Sequence, residues 1–262
     1  MDLIEKNSGP RHPWEKSRAA FFRSIFDRAL AKRSPRDAPW LLDCGAGDAY
    51  FSAHLLAGLG RRLRGITCWD ANYREETITE LRHTYQHPHL SFTREMPPKK
   101  FGAAIMLDVI EHVENDIDFV RNVVQGCLEP GGLLLVSVPA WQLLFSRHDT
   151  RLLHYRRYEP KICDRVIEAA GIRIDERGGL FHSLLLPRAV AVLGEHAASL
   201  VHRPLPPLDP SSPSDTAWSK GPAVTAVVEG ALRIDNALSR AASRAGVALP
   251  GLSYWIVGHK IS

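Results

Sequence analysis

Cysteine is scarce in this chain: four among 262 residues, at positions 44, 68, 127 and 163. No two form a C-x-x-C clip and their density is too low for a disulfide scaffold, so each is expected to be a buried, reduced thiol. Long apolar runs are missing as well. The nearest candidate, residues 183–201, is interrupted by Pro187, Arg188, Glu195 and His196, which excludes a membrane span of about 18 apolar residues. The opening stretch MDLIEKNSGPRHPWEK has no apolar centre of a secretory leader, so a cytoplasmic location is expected. Neither sign of charge dominates: 33 Lys and Arg stand against 29 Asp and Glu, a net +4. That balance excludes a disordered acidic tail and lacks the basic stripe of a nucleic-acid binder. Glycine and proline are near ordinary usage, and the 45% apolar content is that of a globular protein with a core.

What is present is alternation. Residues 14–33 carry an apolar stripe at three- and four-residue steps (Phe21, Phe22, Ile25, Phe26, Ala29, Leu30) with Arg18 at its start, and Ser34-Pro35 ends it. Strands are predicted over 39–43, 65–70, 90–94, 103–108, 133–138 and 172–177. Helices are predicted over 48–59, 73–86, 115–128 and 159–170. Near-continuous apolar strands separated by helices predict a mostly parallel sheet covered on both faces. After residue 180 the pattern changes to a helix over 181–201, a Pro/Ser-rich stretch over 202–222, a helix over 223–245 and a final strand over 252–260. A connection that long inside a compact domain is functional or disordered.

The first strand runs into Asp43-Cys44-Gly45-Ala46-Gly47-Asp48-Ala49-Tyr50. Glycines where a strand turns into a helix let a ligand press against the backbone. The second strand ends in Asp70, 70 − 47 = 23 residues beyond the second glycine. A carboxylate there can accept both hydroxyl protons of a ribose, so the pair points to an adenosine ligand. The third glycine of G-x-G-x-x-G is replaced by Tyr50, and no G-x-x-x-x-G-K-[ST] loop exists.

The loop resembles the D-x-G-x-G-x-[GA] turn of class I S-adenosylmethionine methyltransferases, with Asp43, Gly45, Gly47 and Ala49 in its positions. Leu107-Asp108-Val109-Ile110-Glu111-His112-Val113 is similar to that family's D-V-[IL]-E-H segment after the fourth strand, and Leu128-Glu129-Pro130-Gly131-Gly132 to its L-x-P-G-G turn. His148-Asp149, His154-Tyr155-Arg156-Arg157-Tyr158 and Pro250-Gly251-Leu252-Ser253 resemble a small-molecule subgroup. The resemblance spans about residues 39–260. It implies a Rossmann-like α/β fold: a seven-stranded, mostly parallel sheet with its last strand antiparallel and a helical insertion before that strand. The implied segments are an N-terminal helical cap (1–36), a core (37–180), an insertion acting as a lid (181–250) and the closing strand (251–262).

The resemblance also implies roles. S-adenosylmethionine would be the methyl donor and S-adenosylhomocysteine the product. Gly45 and Gly47 would line its methionine part, Asp43 would order the loop, Asp70 would hold the ribose and Arg94, Glu95 or Met96 would flank adenine. The backbone near Leu107 and Asp108 would close the site, and Arg18 would pair with the donor's carboxylate. The D-x-x-E-H spacing of Asp108, Glu111 and His112 is similar to metal ligands of ubiquinone-pathway O-methyltransferases. The same string is common in relatives with no known metal, so no metal ligand is assigned.

Ligands of open α/β sheets sit beyond the carboxyl ends of the strands, which places residues 139–158 and the insertion at the mouth. Proton removal from an acceptor assigns His112, His148 and His154 as catalytic candidates, since histidine titrates near neutrality. Asp149 would orient one of them, and Trp141, Tyr155, Arg157 and Tyr158 would contact substrate. For each histidine a plain structural hydrogen bond is the competing reading. The apolar insertion fits a large or apolar small molecule; dimerisation through its helices is the alternative. The N/D-P-P-Y/F run and the Pro-Cys nucleophile of nucleic-acid methyltransferases are absent, so no nucleic-acid partner is expected. A non-catalytic module of the same fold, a nicotinamide oxidoreductase and a peripheral enzyme of lipid-linked substrates remain as other classes.

Overall fold

The computed structural model describes residues 11–31, 37–200, 218 and 220–261. The expected cap therefore enters only in part, and nearly all of the Pro/Ser-rich stretch 202–222 lies outside the described residues. The helices are α1 (Pro13–Leu30), α2 (Tyr50–Leu59), α3 (Glu75–Tyr85), α4 (Asp116–Cys127), α5 (Arg147–Arg151), α6 (Pro160–Ala169), α7 (His182–Leu200) and α8 (Pro222–Arg244). The strands are β1 (Trp40–Cys44), β2 (Gly65–Trp69), β3 (Leu90–Thr93), β4 (Phe101–Leu107), β5 (Leu128–Pro139), β6 (Ile172–Leu180) and β7 (Ser253–Lys260).

They form one sheet in the order β3-β2-β1-β4-β5-β7-β6. All neighbours are parallel except β7, which runs antiparallel to β5 and to β6. The order reverses direction between β1 and β4, the switch point beyond which open sheets bind ligands. Leu41 and Ile66 belong to the apolar core on one face, which takes in α1, α2 and α3; Leu42 and Met106 belong to the other, which takes in α4 and α6. Helix α1 is seated by Phe21, Phe22, Ile25 and Phe26, with Phe21 edge-on to Trp255 at 5.5 Å between ring centroids. Burying a phenyl ring contributes about 2 kcal/mol, so α1 is held firmly across the sheet.

Strand β5 begins five residues earlier than its apolar run suggests. Leu128 already pairs with Phe101, and the register shifts between Phe101 and Ala103. The Pro130-Gly131-Gly132 turn is absorbed there as an irregularity, with Gly131 at φ +67°. Helix α5 was not predicted: Ser146 caps it, and Asp149 completes a capping box.

Helices α7 and α8 lie between β6 and β7. Helix α8 has an inverted polarity. Its inward residues include Asp235, Asn236, Ser239 and Ser243, whereas Val224, Val227, Ile234 and Leu238 are exposed. Each inward residue makes at least one hydrogen bond, although Oδ1 of Asn236 is buried without a partner. Asp235 accepts from the amide and hydroxyl of Ser183, at 3.0 and 2.7 Å. Asn236 donates to Ser17, Ser239 donates to the Gly179 carbonyl, and Ser243 donates to Glu176.

Candidate functional site

Past Cys44 the chain turns sharply. Gly45 and Gly47 have φ of +68° and +53°, a left-handed conformation that costs glycine little. Ala49, in the place of the family's usual third glycine, adopts the same region at φ +58°. The amide of Gly45 donates to the Trp69 carbonyl at 2.7 Å, tying the turn to the end of β2. Asp70 follows: its Oδ2 accepts from the Gly47 amide at 3.1 Å and its Oδ1 from the Asn72 amide at 2.9 Å. The hydroxyls of Tyr73 and Tyr85 donate to the carbonyls of Gly47 and Asp48. Below the turn, Asp43 is buried and accepts from the Ser52 hydroxyl at 2.6 Å. Burial pushes its carboxyl up to about 7, against the Ser52 hydrogen bond. A Cβ on Gly47 would meet nothing within 4 Å, whereas one on Gly45 would lie 2.8 Å from Cγ2 of Val109. The turn thus abuts the segment after β4 on one side and is open on the other.

Leu107 ends β4 and Asp108 opens that segment. Asp108 stands at φ +56°, accepts from the Ser137 hydroxyl at 3.0 Å and forms an ion pair with Arg18 of α1. Arg18 therefore does reach this end of the sheet, where its protein partner is a carboxylate beside the turn. Arg11 pairs with Asp48 and lies over the Tyr50 ring at 3.9 Å. Met96 is placed elsewhere. Its sulfur lies beside Gly126 in the last turn of α4, toward the amino end of the sheet, and it is not gathered with the glycine turn.

Beyond Asp108, residues Ile110–His112 form a single tight turn. Glu111 is fully buried, and neither of its carboxylate oxygens has a hydrogen-bond partner. Burial and then the nearby Asp108 hold its carboxyl well above the usual range. The rings of His112 and His154 meet edge to face, 4.6 Å between centroids. Burial pushes His112 down to about 3, so it is neutral at physiological pH.

His154 is held by Asp149, which has no exposed surface. Asp149 Oδ1 lies 3.0 Å from His154 Nδ1 and accepts from Arg157 Nε at 2.8 Å. Its Oδ2 accepts from the Ser146 amide at 3.0 Å and from Arg188 Nη2 at 2.7 Å. Burial alone would raise this carboxyl, but His154, Arg157 and Arg188 together hold it far below the usual range. An ionised carboxylate only accepts, so Nδ1 of His154 carries the proton and Nε2 is its basic nitrogen.

Four of the predicted residues, His112, Asp149, His154 and Arg157, are thus brought together. His148 stands apart in α5, its ring 3.4 Å from Arg151 and lowered by burial and then by Arg188. Tyr155 is exposed, and its amide donates to the Glu111 carbonyl at 2.8 Å. The Tyr158 ring is buried, with its hydroxyl donating to Asp116 at 2.6 Å. Trp141 Nε1 donates to the Gly251 carbonyl at 2.8 Å. Arg188 and Asp116 had no sequence signal, because their partners are about 40 residues away along the chain. Glu111, His112 and His154 each offer one donor atom within 4.8 Å of the others, a set that suits a divalent ion. It differs from the D-x-x-E-H reading, since Asp108 is engaged by Arg18 and Ser137.

A family model described as a methyltransferase domain matches residues 14–172. A ubiquinone biosynthesis O-methyltransferase of Rickettsia typhi (strain ATCC VR-144 / Wilmington) is 32% identical over 99 residues, 37% of this chain and 39% of that protein. The chain thus spans well under half the length of that relative. Among solved structures, a candidate methyltransferase of Bacillus halodurans C-125 aligns over 91% of this chain and 98% of its own, with a TM-score of 0.52 at 13% identity. A chain from a Haloferax volcanii complex of the Trm112 methyltransferase activator with a candidate methyltransferase aligns over 97% of this chain and 100% of its own, with a TM-score of 0.52 at 13% identity. At such identities the structural likeness speaks for the fold alone. Among the described residues no helix is long and apolar enough to cross a membrane.

Proposed function

This chain belongs to the methyltransferase-domain family of S-adenosylmethionine-dependent enzymes, and from that premise we propose that it methylates an oxygen of a small-molecule acceptor, with His154 as general base. The residues present fit the donor. The turn at Gly47 leaves open space where a side chain would stand, and two carboxylates, Asp43 and Asp70, flank it. Gly45 and Gly47 would carry the methionine part, Asp70 the ribose, and the Leu107–Asp108 backbone the far side, with Arg18 and Asp43 framing the polar end. When bound, S-adenosylmethionine supplies a sulfonium-borne methyl group and leaves as S-adenosylhomocysteine.

The chain's own task is positioning and proton removal. Nε2 of His154 takes the acceptor's hydroxyl proton as the new oxygen–carbon bond forms. The resulting imidazolium is stabilised by Asp149 through Nδ1. Neutral His112 packs on the same ring and adds no competing charge. Residues 140–158 and α7 would wall the acceptor side as a lid.

One observation carries the reading: Gly45 abuts Val109, so the turn that would hold the donor and the segment leading to His112 and His154 are one continuous wall. The test has two parts. Calorimetry with S-adenosylmethionine and S-adenosylhomocysteine should show binding, and no heat with either would end the proposal. Tritium transfer from methyl-labelled donor to a panel of phenols and catechols should fall at least about a hundredfold in His154→Gln, in line with loss of a general base. Unchanged transfer would remove His154 from the role. A divalent ion on Glu111, His112 and His154 is the second reading, favoured by their convergence. Transfer that survives exhaustive chelation would dispose of it.

A further inference from the structure

We propose that Arg188, in the insertion helix α7, is a positioning residue for His154, acting through Asp149; this rests on the reading of His154 as the base. The Asp149 carboxylate is saturated with donors. On Oδ1 are Arg157 Nε and the His154 ring, and on Oδ2 are the Ser146 amide and Arg188 Nη2. Three of these groups come from within eight residues along the chain. Arg188 comes from 39 residues away, on a helix inserted before the last strand. It also donates to the Ser146 hydroxyl at 2.6 Å and the Leu144 carbonyl at 3.3 Å, so one guanidinium group grips the cap of α5 and the turn before it.

The chemistry of the arrangement is specific. A buried carboxylate facing one imidazole could rotate about its last torsion and present either oxygen. With Oδ2 occupied by a charge-assisted bond from Arg188, only Oδ1 faces the ring, and the proton stays on Nδ1. The groups facing His154 are Asp149 from α5, Arg157 from the α5–α6 connection, Glu111 and His112 from the turn after β4, and Arg188 at one remove from α7. Of these, Arg188 alone belongs to the insertion, so α7 contributes to the base's geometry without touching it.

The experiment reads the tautomer directly and needs no acceptor substrate. The full chain is labelled with nitrogen-15 histidine, and His154→Gln identifies the His154 ring signals. In the parent protein at pH 8 the long-range proton–nitrogen pattern should be that of a ring protonated at Nδ1. In Arg188→Met the Nε2-protonated form should rise about tenfold relative to the other, the ratio that corresponds to about 1.4 kcal/mol. Arg188→Lys should fall between the two, since it keeps the charge and loses the fork. If Arg188→Met does not fold, the comparison is carried by Arg188→Lys and Arg188→Gln. An unchanged His154 pattern in a folded Arg188 variant overturns the proposal, even where stability has dropped. The base assignment fails by a different result, unchanged methyl transfer in His154→Gln.

Discussion

The amide of Gly47 donates to Oδ2 of Asp70 across 3.1 Å, so the carboxylate proposed to hold a sugar also braces the turn proposed to hold the rest of the nucleoside. Removing it should therefore do two things at once. In Asp70→Ala, affinity for S-adenosylhomocysteine should drop at least about tenfold, and unfolding in urea should show a loss of roughly 1–2 kcal/mol from the orphaned amides. Calorimetry and a denaturation curve on the same variant decide this. A purely structural Asp70 would show the second effect without the first.

The two glycines of the turn should separate space from strain. Gly45→Ala sets a methyl 2.8 Å from Val109 in a left-handed backbone, so the cost is steric and conformational. Gly47→Ala meets no neighbour and pays only the backbone term, about 1–2 kcal/mol. Both should weaken donor binding, yet Gly45→Ala should lose clearly more stability. Equal thermal midpoints for the two variants would contradict the placement of Val109.

Asp43 gives a pH prediction with a fixed sign. Its folded carboxyl is raised to about 7 by burial, above the value near 4 of an unfolded chain. Between those values the folded state holds a proton that the unfolded state has lost. Its contribution is thus complete below about pH 4 and falls as pH rises through 7, at a slope of about 1.4 kcal/mol per unit. In Asp43→Asn that slope should vanish, so the variant gains on the parent as pH rises from 4 to 7. Urea midpoints measured across this window provide the check, and parallel curves for parent and variant would refute it.

Leu153 is both strained and exposed. It sits at φ +59° with 76% of its surface in solvent, immediately before His154. Neither packing nor backbone preference favours leucine there. Leu153→Gly should raise stability by roughly 0.5–1 kcal/mol, the left-handed strain less glycine's added chain entropy. A thermal midpoint that falls instead would show that the side chain has a supporting contact.

The parallel core was legible because buried strands read as apolar runs of five to seven residues, and β1, β2 and β4 are such runs. The glycine turn and the Asp70 that braces it were legible because a backbone that must turn left-handed on leaving a strand calls for glycine. Asp149 and His154 were found as types within a motif, but their pairing depends on an unpredicted five-residue helix, too short for periodicity to reveal. For the adenine flank, order along the chain left Arg94, Glu95 and Met96 open, and the packing of Met96 beside Gly126 near the end of α4 is not written in the local sequence. Arg188 lay beyond reach, since nothing local tells an arginine on an apolar helix from a solvated one.

Periodicity also fails at α8, and there the failure has a consequence. An ordinary amphipathic helix is greased against its neighbours and can slip or roll among several nearly equal seats. This one is fastened by bonds of set length and direction, from Asp235, Asn236, Ser239 and Ser243 to three different elements, α7, α1 and β6. A shift by a single residue would break all of them together. The helix has one berth, and whatever rests on it inherits that fixed register.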